Sequence, residues 1–435
     1  MGAPYGSLFR NRNYFRVFAA GLGSTAGQAL TGVCLVWVVF TETSSALDVA
    51  FLGTGFLLSA ILFSTVGGTL VDRYDRRRLM IVSDVARGAA MFVVTAVLAF
   101  HGFNLAVVVG AYAVVGAFTV LFNPAEQAIV PALVPDVAVA DANGLVRSSR
   151  AALQFIGASV AGVLIVTVGA TWGIAINVAT FALSALLLAG LRVPPTAVVP
   201  GPPVPRASYT ADLRAGFAWL WKAQGFFQLT LSATFFNFSA NLIGTFIVVY
   251  STLVLHGSAL VFASLLAAEV AGSAIGALLV GRTGAVRFAG KAWVIPYGIL
   301  SGLVALGLPL FPNEGAAIAI MFALGTFGGF AGTAWLTAAQ LLVPTEMQGR
   351  YFGIDQLGSI AILPAAQIGG ALLIAAYGIR ETYLAAAVLW VLAGAVFLVP
   401  RAMWKLGVEP GGPATPRSDA VEAGRSGSPG GTPGE

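Results

Sequence analysis

The sequence predicts an all-α membrane protein, with twelve transmembrane helices in two pseudo-symmetric six-helix bundles. Three observations carry that expectation. First, a chain of 435 residues that is 58% hydrophobic and 9% charged, with a mean hydropathy of +0.88, holds more apolar surface than one water-soluble core can bury. Second, the apolar residues fall into runs that meet the roughly 20 residues a spanning helix needs. Third, the two halves of the chain repeat each other. Residues 125–131 (AEQAIVP) line up with 338–344 (AAQLLVP) at an offset of 213, and 68–73 (GTLVDR) with 277–282 (ALLVGR) at 209. Nearly equal offsets in the same order point to a duplicated bundle.

Taken in order, the spans are expected at 14–40, 48–71, 79–100, 105–123, 143–167, 172–191, 226–253, 259–281, 291–311, 316–342, 351–376 and 382–400. Gly and Pro inside these runs are compatible with membrane helices, whose neighbours satisfy freed backbone groups. Residues 194–208 carry six prolines, which excludes a helix interior and predicts an extended connector. Behind it, Leu213, Phe217 and Leu220 recur at helical spacing among Asp212, Arg214 and Lys222, the pattern of a short amphipathic helix on a membrane surface. From Gly407 the sequence is Gly, Pro, Ser and scattered charge, too polar to offset the entropy of ordering. The expected organisation is a first bundle at 1–193, a cytoplasmic linker with its helix at 194–222, a second bundle at 223–406 and a disordered cytoplasmic tail at 407–435.

The net charge of +5 could signal a nucleic-acid partner, but its distribution argues against one. Arg10, Arg12, Arg16, the arginines of 73–78, Arg192, Arg206, Arg214, Lys222, Arg282, Arg287, Lys291, Arg350, Arg401 and Lys405 all fall on one side of the span map, with Arg380 in an opposite loop. That asymmetry is the positive-inside pattern and places both termini in the cytoplasm. Cys34 is the sole cysteine, so no intrachain disulfide can form. His101 and His256 lack ligand-spaced companions, and no phosphate-binding loop or hydrolase motif is present. No metal, cofactor or enzyme activity is therefore expected.

Between the second and third spans, residues 67–78 (GGTLVDRYDRRR) crowd six charges into seven positions, 72–78. This segment resembles the signature loop of the Major Facilitator Superfamily. Residues 8–16 (LFRNRNYFR), 72–79, 123–131 and 212–217 (DLRAGF) are similar to the branch of bacterial enterobactin exporters and macrolide or multidrug efflux proteins. The resemblance covers most of 8–400 and implies a conformational latch of Gly68, Asp72, Arg73 and Arg77. In it, Asp72 accepts from the N-terminus of the eleventh helix, near Tyr351, and locks the cytoplasmic side in the outward-facing state. Arg76 and Arg78 read better as topology anchors. The second-half copy has Gly281 where the acid would stand, so one latch is expected. Residues 157–162 (GASVAG) keep the small residues of an antiporter-associated motif but lack its proline and one glycine.

Polar residues recur at helical spacing on four helices that the superfamily places around its cavity: Ser24, Gln28 and Thr31; Tyr112, Gly116, Thr119 and Asn123; Thr230, Thr234, Asn237, Asn241 and Thr245; Thr333, Thr337 and Gln340. Facing lipid, each amide would cost several kcal/mol. They therefore face protein or water, and Gln28, Tyr112, Asn237 and Asn241 are the candidate substrate contacts, with interhelical hydrogen bonding as the alternative for any one of them. Glu269 lies near the middle of a span, where an ionised carboxylate costs at least about 3 kcal/mol. It is the candidate proton-coupling site or cavity charge, against a neutral Glu bonded within its bundle. Asp84, Arg87, Arg147, Arg150 and Asp355 form a candidate cytoplasmic ion-pair network.

The resemblance implies a secondary transporter in the bacterial inner membrane that exports a small amphiphilic molecule (a drug, antibiotic or siderophore-like compound) by alternating access and proton antiport. The expected partners are that substrate, protons and the bilayer, and the expected assembly state is a monomer. The alternatives are an uptake carrier or facilitator on the same fold, and a membrane sensor that binds without transporting.

Overall fold

The computed structural model describes residues 5–135, 138–192, 209–399, 401–404 and 406. The connector residues 193–208 and the tail from 407 lie outside them. Helices start where a short polar side chain can accept the first free N–H groups. Asn11 caps α2 (Arg12–Thr43), which follows the short α1 (Tyr5–Arg10). Ser45 caps α3 (Ala46–Arg73), Asp75 caps α4 (Arg76–Phe100) and Asn104 caps α5 (Leu105–Ile129). The first half closes with α6 (Val139–Thr167) and α7 (Ala170–Ala189).

The second half begins with α8 (Tyr209–Lys222), the expected amphipathic helix. Its Leu220 is buried while Trp221 is 66% exposed. Trp219 meets the Tyr351 ring edge-on at 5.9 Å, so this helix is docked on protein as well as bordering its surroundings.

Three of the later spans depart from single straight helices. The seventh consists of α9 (Gln224–Thr245) and α10 (Ile247–Leu253), bent by 42° just after Gly244, a weak point for a helix under load. After α11 (Ala259–Thr283), the ninth span is built of α12 (Ala289–Ala292), a π-helical turn at Trp293–Leu300, α13 (Ser301–Ala305) and α14 (Gly307–Leu310). Pro296, which has no N–H to donate, lies inside the π turn. α15 (Glu314–Leu342) is continuous. The eleventh span starts at Thr345, earlier than expected, and divides into α16 (Thr345–Ala361) and α17 (Leu363–Tyr377) just before Pro364. α18 (Ile379–Leu398) and the short α19 (Arg401–Trp404) end the described chain. Eleven described segments are long and apolar enough to cross a membrane, and the bent α9–α10 pair is the twelfth.

Packing reproduces the sequence repeat. In the first half, span 1 packs on spans 5 and 6, span 2 on 4, and span 3 on 4 and 6; in the second, span 7 packs on 11 and 12, span 8 on 10, and span 9 on 10 and 12. The principal contacts between halves are span 2 with 11 and span 5 with 8, a pair that the repeat exchanges. The fold is therefore two pseudo-symmetric six-helix bundles.

α11 and α15 make the closest packing. A side chain at Gly272 or Gly276 would strike the α15 backbone at Phe322 or Thr326, and one at Gly325 or Gly329 the α11 backbone at Glu269 or Ser273. Two facing small-xxx-small patterns thus bring the backbones together where the hydrophobic effect gives helices no drive to associate. Gly325→Leu is expected to cost about 1–3 kcal/mol through overpacking, read as earlier thermal unfolding in detergent. Gly332→Leu, on the same helix but with open space around it, should leave the midpoint unchanged.

A candidate substrate cavity between the bundles

The glycine-mediated approach of α15 fixes the backbone of α11 at Glu269 and turns the Glu269 side chain into a cavity of about 340 Å³ lined also by Thr25, Gln28, Gln154 and Ala158. A second cavity, of about 400 Å³, shares Gln28, Ala29 and Leu266 with the first. It is walled by Phe56, Tyr112, Asn241, Thr245, Phe262 and Gln367 among others. Both lie between the bundles and together present a mostly apolar chamber with a few amides, one phenol and one carboxylate, the composition of a small-molecule site. Glu269 takes no hydrogen bond or ion pair among the described residues and is half-buried. It is therefore available to whatever fills the cavity.

The chamber is closed at the end remote from the termini. Thr54 donates to Gln367 Oε1 at 2.9 Å across the interface, and Gly53 has no side chain to obstruct that amide. Gly162 of α6 sits against Ala263 of α11, and the Trp37 and Phe262 rings stack across the interface at 6.1 Å. Toward the terminal end Leu58 and Leu62, on the same face of α3 as Thr54, are exposed, so that side of the seam is uncovered there.

A separate charged cluster lies inside the first bundle. Arg87 bonds Asp84 at 2.5 Å with both side chains essentially inaccessible, and its guanidinium stands 4.5 Å from the Phe122 ring and 4.6 Å from that of Phe181. Ser184 donates to the second Asp84 oxygen at 2.6 Å. Arg150 pairs with Glu126, whose carboxylate occupies the space that a side chain at Gly21 would fill. Such charges are tolerable in low dielectric because each is paired and hydrogen-bonded.

These placements revise several sequence expectations. Asp84, Arg87 and Arg150 come together, but Asp355 belongs to the other bundle, where it is 7% exposed and accepts from Thr230 at 3.1 Å. The expected five-residue network is thus at least two separate arrangements, and the side chain of Arg147 lies outside the described residues. The side chains of Asp72 and Arg73 and the surroundings of Gly68 do so too. Arg77 turns into its own bundle, donating through Nε to Leu188 O at 2.9 Å and to Ala189 O. Gln28, Tyr112 and Asn241 line the chamber, and Gln28 also donates to Thr119 at 3.0 Å. Asn237 lies off it, accepting from the Tyr297 hydroxyl at 3.3 Å. Sequence reasoning missed Glu126, Gln154 and Gln367. Glu126 carried a signal, an acid at the end of a long apolar run, whereas a lone glutamine in such a run marks only a need for some polar neighbour.

The sequence matches the Major Facilitator Superfamily over residues 17–366. The chain belongs to that superfamily. Among its relatives is the multidrug efflux pump Tap of Mycobacterium tuberculosis, 25% identical over 407 residues, covering 91% of this chain and 95% of the pump. Macrolide efflux protein A of Streptococcus pyogenes is 24% identical over 379 residues, covering 85% and 91%. Among solved structures, a bacterial homologue of the human lysosomal transporter Spinster, inward-facing and unoccupied, superposes with a TM-score of 0.69 at 15% identity, covering 92% of this chain and 99% of that one. A D-xylose-proton symporter gives 0.66 at 14% identity, covering 90% and 98%. The fold is thus that of a multi-pass membrane transporter, and the protein is not an enzyme.

The Asp84–Arg87 pair makes a strong prediction for this transporter. Arg87→Met leaves a buried carboxylate uncompensated and should cost about 3–5 kcal/mol, seen as a lower unfolding midpoint. Adding Asp84→Asn should recover most of that loss.

Proposed function

We propose that this transporter exports small amphiphilic molecules from the cytoplasm across the bacterial inner membrane by alternating access, driven by protons moving inward. The observation that carries the proposal is Glu269, an acid without a partner among the described residues, on the wall of the chamber between the bundles. Efflux by Tap and by macrolide efflux protein A supports the outward direction. The apolar chamber walls suit an amphiphile, and Gln28, Tyr112 and Asn241 supply polar contacts that orient it.

In this reading the terminal face is cytoplasmic, as the positive-inside pattern requires, and the structure is the inward-open state. Substrate enters at the terminal end, beside the exposed seam face of α3. Substrate binding displaces the Glu269 proton to the cytoplasm, and the bundles rock and break the Thr54–Gln367 contact. Asp72 then meets the N-terminus of α16 and holds the cytoplasmic side shut. In that outward-open state a proton from outside neutralises Glu269, the substrate leaves, and the chamber returns with the proton to the inward-open state. One transport unit is one chain.

The test is transport of a fluorescent amphiphilic cation in proteoliposomes with an imposed pH gradient. The native protein should accumulate the dye against its gradient, and Glu269→Gln should remove the dependence on pH while the protein still folds. Asp72→Asn should slow transport by favouring the inward-open state. Dye movement that ignores the pH gradient in the native protein identifies a facilitator, and saturable binding with no movement identifies a sensor; either result contradicts proton-driven export.

A further inference from the structure

We propose that a cavity at the terminal end of the first bundle binds the phosphate of an anionic membrane lipid. The cavity measures about 690 Å³ and lies where the N-terminal turns of α2 and α4 meet the C-terminal end of α7. Its side chains are Arg12, Asn13, Arg16, Arg77 and Arg192, with the backbone of 189–191 completing the wall. Four guanidinium groups from three parts of the chain therefore share one space, and among the described residues no carboxylate lines it.

Local structure holds those cations in place. Arg16 donates to Gly190 O and Arg77 to Leu188 O and Ala189 O, so carbonyls at the C-terminal end of α7 fix two guanidinium groups. A side chain at Gly190 would press on the Arg16 guanidinium at 3.1 Å, which makes glycine the residue that lets it dock. Asn13 Nδ2 donates to Arg192 O at 2.8 Å, and Arg192 N donates to Asn13 Oδ1 at 3.3 Å. That reciprocal pair ties the chain beyond α7 to α2 and carries Arg192 to the rim. Each guanidinium has five N–H donors, so Arg16 and Arg77 keep several after bonding the carbonyls. The Arg12 and Arg192 side chains make no hydrogen bond or ion pair among the described residues.

Arginines that only fix topology each reach into water separately. Four that converge repel one another unless an anion lies between them, and forked guanidinium groups match phosphate oxygens in particular. The surroundings favour a lipid phosphate over a dissolved one. Leu183, Leu186 and Gly190 share a face of α7, and the two leucines are 56% and 70% exposed. On α2, Phe15 is 47% exposed beside Arg12 and Arg16. An apolar track thus runs along the lipid-facing surface to the arginine cluster, placing acyl chains below and a phosphate above. Basic pockets at helix ends bind anionic headgroups by this combination of charge and chain contact.

The experiment is native mass spectrometry of the full-length chain released from detergent, titrated separately with phosphatidylglycerol, phosphatidylcholine and inorganic phosphate. Phosphatidylglycerol should give a saturable adduct that phosphatidylcholine does not displace. Arg12→Gln with Arg192→Gln should weaken it about thirty-fold, given the contribution expected of each arginine near a membrane surface. Arg12→Lys with Arg192→Lys, which keeps the charge, should retain most of it, and the single Arg192→Gln variant should fall between. Equal phosphatidylglycerol affinity in the native chain and the double glutamine variant overturns the proposal. Displacement of the adduct by inorganic phosphate at equal concentration also overturns it, by assigning the cavity to a dissolved anion.

Discussion

A polar side chain inside the bilayer must meet protein or water, because hydrocarbon offers it nothing and the cost of leaving it bare is several kcal/mol. That requirement sorts nearly every hydrophilic residue of this chain. Asp84, Arg87, Glu126 and Arg150 are satisfied by one another inside the first bundle. Asp355 is satisfied by Thr230 inside the second. Glu269 is satisfied by neither arrangement and faces the chamber, while the remaining described cations, Arg380 apart, gather at the terminal end. The proposed proton coupling needs an ionisable group whose solvation changes with conformation, and of these acids Glu269 is the one that lines the space between the bundles.

Close helix packing makes that position possible. The paired glycines of α11 and α15 bring two backbones into contact over two turns, which leaves Glu269 no room to withdraw into its own bundle. Across the interface the contacts are uncharged among the described residues. They include a hydroxyl on an amide, a glycine on an alanine and two stacked rings. Such a closure can open without breaking a buried ion pair, whereas the charged cluster within the first bundle is built to move as one piece. Rocking of rigid halves about a shared cavity follows from this division between firm interiors and a light seam.

The twelve apolar runs, the bundle repeat and the positions of Gln28, Tyr112, Asn241 and Glu269 were legible because they rest on hydropathy and helical spacing. Bends were not. Gly244 and Pro296 are each tolerated in straight membrane helices, so the 42° break after α9 and the π turn around Pro296 depend on what packs against them. Partner choice was also hidden. Glu126 of α5 and Arg150 of α6 meet beside α2, which contacts both helices, in the space left at Gly21, and Arg77 was drawn to the end of α7 rather than to the other bundle. Asn237 shares a helical face with Asn241 but finds the hydroxyl of Tyr297, a residue of the π turn in the ninth span. Periodicity tells which residues turn inward; it does not tell what they find there.

The rocking of two bundles about the Glu269 chamber is tested most directly by distances between spin labels across each face. Cys34 is the only cysteine and is buried, so labels can be directed to Tyr74 and Arg282 at the terminal face and to His101 and Phe311 at the far face. Adding an amphiphilic substrate should shorten the first distance and lengthen the second in the same population. Two distances that stay fixed, or that change in the same direction, would contradict alternating access in this protein.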